Sequence, residues 1–240
     1  KEQMHVYLVE GQSKVLSNLS PQASSKAELY LRQLGVTMLL NKRVNGYDGN
    51  EITFVEGEPI PTKTVIWSAG VIGEFPQGIP EDLIVRGRRI KIEPTCLVPG
   101  QDKIFAIGDV AAMITEETPN GHPGVAPTAI QQGKFVAKQI MRILRKEPLA
   151  HFKYKDKGAM ATIGRNKAVV DLGKLRFQGF FAWWVWMFVH LMSLIGFRNR
   201  LVTFINWILS YLTFNGGVRL IINKFERKPE DAPSGATNTN

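Results

Sequence analysis

The chain has 240 residues, 44% of them hydrophobic and 21% charged, which is the balance of a globular protein with a sizeable core rather than a disordered one. Thirty Lys and Arg against 21 Asp and Glu give a net charge of +9, favouring an anionic partner: nucleotide phosphate, nucleic acid or a lipid surface. A single cysteine, Cys96, excludes a disulfide framework and a CxxC redox pair within this chain, and no aromatic-basic interleaving marks a nucleic-acid platform.

His5–Glu10 reads as a short apolar strand ending in an acid. In a dinucleotide-binding βαβ unit an acid in that place bonds the adenosine ribose hydroxyls; the alternative for Glu10 is a solvated turn residue. No G-x-G-x-x-G precedes it, so a phosphate-binding glycine loop is expected before Lys1, and the 240-residue chain alone is expected to hold FAD poorly. Pro21–Leu34 predicts a helix, with Ser20 as cap and Leu29, Tyr30 and Leu34 in its apolar stripe. Gly35 ends it, and Val36–Leu40 predicts a strand. Tyr47-Asp48-Gly49-Asn50 predicts a hairpin turn into Glu51–Val55. Thr64–Trp67 predicts a buried strand ending in Ser68-Ala69-Gly70-Val71. Small residues there admit either a flat ring against the backbone or a tight crossover between domains.

From Ile72 to Pro99 the chain is rich in Gly and Pro, and Arg86-Gly87-Arg88-Arg89 predicts a solvated basic tip on a surface hairpin. Cys96 reads as a small buried apolar residue. Ile104–Ile107 then predicts a buried strand stopping at Gly108-Asp109, where backbone and carboxylate approach a ligand. Thr115–Gly124 is a polar loop whose His122 has no second ligand at metal spacing. The next helix is predicted from Thr128 to Arg145, with Gln131 and Gln132 in its opening turns.

Phe105–Asp109 resembles the second flavin fingerprint of two-dinucleotide-domain flavoproteins, and Ala129-x-Gln131-Gln132-Gly133 resembles the quinone-facing helix start of type II NADH:quinone oxidoreductases. The resemblance runs from Glu10 to about Ile222. It implies FAD and NADH as cofactors, with Gly108 and Asp109 at the FAD ribityl and pyrophosphate, and Ala69-Gly70 beside the nicotinamide. It also implies quinone at Ala129, Gln131 and Gln132, and a gate at Lys157-Gly158 and Met160. One departure stands out: many members carry Ala-Gln where this chain has Ala126-Pro127, which puts quinone headgroup preference in question. Glu10 would repel a 2′-phosphate and so favours NADH over NADPH.

The implied fold class is α/β: part of a Rossmann-like, two-dinucleotide-domain flavoprotein with a small antiparallel β region and amphipathic anchor helices. Expected boundaries are 1–71 for a partial NADH-binding domain, 72–150 for the FAD-binding return segment, 151–175 for the β region, 176–228 for the anchor, and 229–240 for a disordered tail. Phe180–Phe197 is almost wholly apolar, with Trp183, Trp184 and Trp186 near its start. Arg198-Asn199-Arg200 interrupts, and Leu201–Phe214 carries Thr203, Asn206, Ser210 and Thr213 on one helical side. Lys174, Arg176, Arg198, Arg200, Arg219, Lys224, Arg227 and Lys228 face a single acid, Glu226, across this region. That distribution favours monotopic attachment to an anionic membrane lipid surface, against a single span or a buried homodimer interface. The resemblance places such an anchor on the cytoplasmic face of a bacterial inner membrane. Two rivals remain: a soluble-type flavin reductase for a protein or dithiol acceptor, and a non-enzymatic membrane-bound fragment.

Overall fold

The computed structural model describes residues 4–213; the tail expected over 229–240, Phe214, the bases from Arg219 to Lys228 and Glu226 lie outside them. Two compact units divide at residue 186, Lys1–Trp186 and Met187–Asn240.

The first unit opens with a βαβ element. Strand β1 (Val6–Glu10) and strand β2 (Val36–Leu40) pair in parallel from Val6↔Val36 to Glu10↔Leu40, joined by helix α1 (Pro21–Gln33). Ser20 caps α1 through Oγ, which accepts the Ala23 amide at 3.2 Å, and Gly35 at φ +83° closes it. Its buried face is Ala23, Ser24, Ala27 and Tyr30. Leu29 and Leu34 are exposed, contrary to expectation. Small residues win this face because it packs closely, with Ala23 and Leu19 against Val169.

A hairpin follows, β3 (Val44–Tyr47) and β4 (Glu51–Phe54), with β5 (Ile60–Pro61) added at its edge. Its turn is as expected. Asp48 Oδ1 accepts the Asn50 and Glu51 amides, both at 2.8 Å, and these bonds hold its carboxyl below the usual carboxylate range. The strand expected over Thr64–Trp67 does not form: Ile66 and Trp67 are largely exposed, and no described strand lies alongside to take their backbone hydrogen bonds.

Strands β6 (Ile84–Val85) and β7 (Arg89–Ile92) make the hairpin with the basic tip, and β8 (Ala111–Met113) joins β7 in parallel. The tip is more than solvated charge. Arg89 donates to the carbonyls of Asn120 at 2.6 Å and His122 at 3.3 Å, pinning the 115–124 loop, and Arg88 lies over the Phe75 ring. The run Ile104–Ile107 is not a sheet strand. It makes a two-stranded contact with 96–98, through Val98 N to Ile104 O and Ala106 N to Cys96 O, and the strand proper, β8, begins only after Asp109. Ile104 and Ile107 are exposed accordingly.

Helix α2 (Ala126–Leu144) packs Val136 into the main core with Ile90, Ile92, Cys96, Val98, Ala106, Ala111, Met113 and Phe152. Cys96 is fully buried, which pushes its thiol up to about 12. At pH 8 only about one thiol in ten thousand is then ionised, so a thiol reagent is expected to label native protein negligibly and unfolded protein at once. Rapid native labelling would show that this core is not closed.

The chain returns in a three-stranded antiparallel sheet, β9 (Ala159–Gly164), β10 (Lys167–Leu172) and β11 (Leu175–Gly179), the last extending the expected β region. This sheet docks on α1. Asp171 accepts Ser20 N at 2.6 Å and Ser20 Oγ at 3.0 Å, a two-pronged tie across 151 positions of chain.

Helix α3 (Phe180–Ser193) starts against this sheet, where Ala182 joins Ala168 and Val170, and crosses into the second unit. Helix α4 (Phe197–Thr213) follows a break at 194–196, with Gly196 at φ +85°. Arg198-Asn199-Arg200 therefore lies in the first turn of α4 and does not interrupt. Asn199 and Arg200 donate back to the Ile195 and Leu194 carbonyls at 2.9 and 2.8 Å, satisfying the helix junction. No helix among the described residues is long and apolar enough to cross a membrane.

Candidate functional site

The site is built where β7, β8 and the opening of α2 meet. Gly108, Asp109 and Val110 form one 3-10 turn before β8. Gly108 has φ +72°, which favours glycine, and a Cβ there would stand a tight 3.3 Å from the Ala129 Cβ. The Gly108 amide donates to Gln132 Oε1 at 2.7 Å. That bond ties the turn to α2 and brings Gly108, Asp109, Ala129 and Gln132 together, as expected. Gln132 is 1% exposed, so its carbonyl serves the turn.

Asp109 itself is exposed, and its carboxylate takes no hydrogen bond or ion pair from the described residues. Gly124 lies beside it; a Cβ on Gly124 would come within 3.4 Å of Asp109 Oδ1. The result is a carboxylate fixed by its backbone, flanked by two glycines, with open acceptor oxygens. That donor set fits the hydroxyls of a sugar or polyol chain.

At the start of α2, Pro127 lacks an N–H, and those of Thr128 and Ala129 both reach the Val125 carbonyl, at 2.9 and 3.3 Å. What this end offers an anion is therefore chiefly the helix dipole. Thr128 Oγ1 is buried with no partner among the described residues, a feature the sequence reading passed over.

Gln131 is differently engaged. Its Nε2 donates to the Lys155 carbonyl and its Oε1 accepts the Lys155 amide, each at 3.0 Å. Lys157 is exposed; the neighbouring Gly158 amide donates to Asp156 Oδ1 at 2.8 Å. Gly158 has φ +84°, and a Cβ would collide with the Asp171 carbonyl and Leu172 Cα, so the chain is wedged against β10 here.

Ala69 and Gly70 are exposed, and Gly70 has φ +76°. Three residues on, Gly73 donates to the Gly87 carbonyl at 2.8 Å, and a Cβ on it would touch the Val110 side chain. Gly70 is thus held within a few residues' reach of the Asp109 turn, at most about 11 Å of chain from Gly73. Glu10 stands at the carboxyl end of β1, where Oε1 accepts the Gln12 amide at 2.9 Å. His122 packs between Phe152 and Tyr154, and burial there lowers its pKa.

Residues 1–133 match the pyridine nucleotide-disulphide oxidoreductase family, and residues 157–214 match the NDH2 C-terminal domain. The type II NADH:quinone oxidoreductase Ndh of Mycobacterium tuberculosis is 34% identical over 226 residues, covering 88% of this chain and 47% of that protein. An internal alternative NAD(P)H-ubiquinone oxidoreductase A1 of Solanum tuberosum mitochondria is 29% identical, covering 92% of this chain and 47% of that protein. The chain spans about half the length of the curated relatives it matches. In fold it is similar to the NDH2 of Plasmodium falciparum solved with NADH, at a TM-score of 0.75 and 17% identity, covering 87% of this chain and 58% of that one.

Proposed function

This chain belongs to the pyridine nucleotide-disulphide oxidoreductase family and carries an NDH2 C-terminal domain, and from that premise we propose that it works in a membrane-associated flavoprotein passing electrons from NADH through FAD to a membrane quinone, without proton pumping. The bond from Gly108 N to Gln132 Oε1 carries this reading, because it joins the carboxylate turn and the quinone-facing helix opening in one place.

FAD, when bound, supplies the two-electron redox chemistry. The chain's own share is orientation and electrostatics. Asp109 would accept hydroxyl hydrogen bonds from the ribityl chain, and the small residues Gly108, Gly124 and Ala129 would leave the backbone bare enough for close approach. The positive end of the α2 dipole would favour negative charge on a reduced ring held there. Glu10 takes the adenosine ribose of NADH, and the Ala69-Gly70 segment admits the nicotinamide. The α2 opening with Gln131 and Gln132, together with Lys157, forms the quinone side. The Trp-rich α3 and α4 hold the site at an anionic lipid surface on the cytoplasmic side of a bacterial inner membrane. An apolar homodimer contact through the same helices is the competing use of that surface.

The test is NADH oxidation by the FAD-loaded protein in lipid with a short-chain quinone as acceptor. Turnover that requires both quinone and flavin is expected. NADH oxidation that proceeds only with a dithiol or protein acceptor would replace this reading with the soluble-type reductase.

A further inference from the structure

Residues 148–158 belong to no helix or strand before Ala159, yet they are fastened along their whole length. Gln131 closes an amide-to-amide pair with Lys155, both bonds at 3.0 Å. Gln139, 1% exposed, does the same with Ala150, donating to its carbonyl at 2.8 Å and accepting its amide at 3.1 Å. Arg142 Nε donates to the Pro148 carbonyl at 2.7 Å. Between the two glutamines, Phe152 is buried against Phe135 and His122, and its amide donates to the Pro94 carbonyl.

The segment therefore runs antiparallel to α2, Lys155 at Gln131 and Ala150 at Gln139. Eight helical residues rise about 12 Å, and five nearly extended ones cover about 16 Å, so the two clamps fit an extended strap lying along the helix. Side-chain amides replace the missing backbone ladder. Each amide is held at both its Nε2 and its Oε1, which fixes the Gln131 side chain along the strap. Beyond Lys155 the strap ends in the Asp156 cap on Gly158 and the wedge of Gly158 against β10, with Lys157 caught between.

We propose that Gln131 and Gln139 are positioning residues that rivet this strap to α2, and that Gln131 acts on the quinone side by fixing Lys157 and not by touching quinone. The inference rests on the functional reading above for its quinone readout, but the strap has a readout of its own.

In the FAD-loaded protein, trypsin is used on Gln131→Ala, Gln139→Ala and the milder Gln131→Glu, with cleavage at Lys153, Lys155 and Lys157 followed by mass spectrometry. Each alanine variant is expected to speed strap cleavage about tenfold, as when a net hydrogen bond is lost, with Gln131→Glu in between. Both alanine variants should raise the quinone KM severalfold while NADH-driven flavin bleaching keeps its rate. A Gln131→Ala that raises KM with cleavage unchanged, beside a silent Gln139→Ala, would overturn the proposal in favour of direct contact. If the parent protein reduces no quinone, the functional reading fails, and the trypsin rates still decide whether the strap is riveted.

Discussion

Replacing Asp109 by alanine is expected to weaken FAD binding about a hundredfold, the loss of two hydrogen bonds to a charged acceptor at about 1.5 kcal/mol each. The position supports a large effect. Gly124 puts no side chain against the carboxylate, and no described group is paired with it. Its interaction energy is therefore available to a ligand and is not already spent on the fold. Asp109→Asn keeps the shape but not the charge and should lose roughly tenfold, since charge-assisted bonds are about twice as strong as neutral ones. The ratio of flavin absorbance to protein, followed through dilution, measures both. An alanine variant that keeps full flavin would remove Asp109 from the site.

A second large effect is expected at α4. Ile205, Ile208, Leu209 and Leu212 are all exposed, and no residue of this helix is buried. A surface of this kind needs a partner, and Arg198 at its start adds positive charge next to it. Leu209→Glu with Leu212→Glu should lower binding to vesicles containing anionic lipid at least a hundredfold, because two leucines each forfeit about 1.5–3 kcal/mol of burial. Arg198→Glu should lose less and only at low salt. Vesicle flotation reads both. Unchanged flotation with a monomer in place of a dimer in sedimentation would assign α4 to self-association instead.

Local signals were legible where the chain solves its own problem. The Ser20 cap, the Asp48-Gly49 turn and the start of α2 near Pro127 depend on neighbours within a few residues, and each stands where its pattern placed it. Elements that depend on distant partners were not legible in the same way. Thr64–Trp67 has the composition of a buried strand, but composition cannot supply the adjacent strand it needs. Ile104–Ile107 looks like a sheet strand and instead pairs locally with 96–98, leaving the sheet position to Ala111–Met113. The tie from Ser20 to Asp171 spans 151 positions and leaves no trace in either local sequence.

For the candidate site, the motif pointed to Gly108, Asp109, Ala129 and Gln132, which the fold brings together, but not to the way the glutamines are used. A signal was present: Thr128, Gln132, Val136 and Gln139 recur at helical spacing, which marks the polar members as part of the buried face. Polar side chains on such a face must find partners inside the protein, and two of them do so on the backbone of distant turns.

The claim on which the rest depends is that the carboxylate turn and the α2 opening form one flavin cradle, and a double-mutant cycle between Asp109→Asn and Gln132→Ala measures it directly. Flavin dissociation constants for the two single variants and the double variant are expected to give a coupling of at least about 1 kcal/mol, because Gln132 sets the turn through which Asp109 acts. Strictly additive losses, or a Gln132→Ala protein with unaltered flavin affinity, would mean that the two residues serve separate sites.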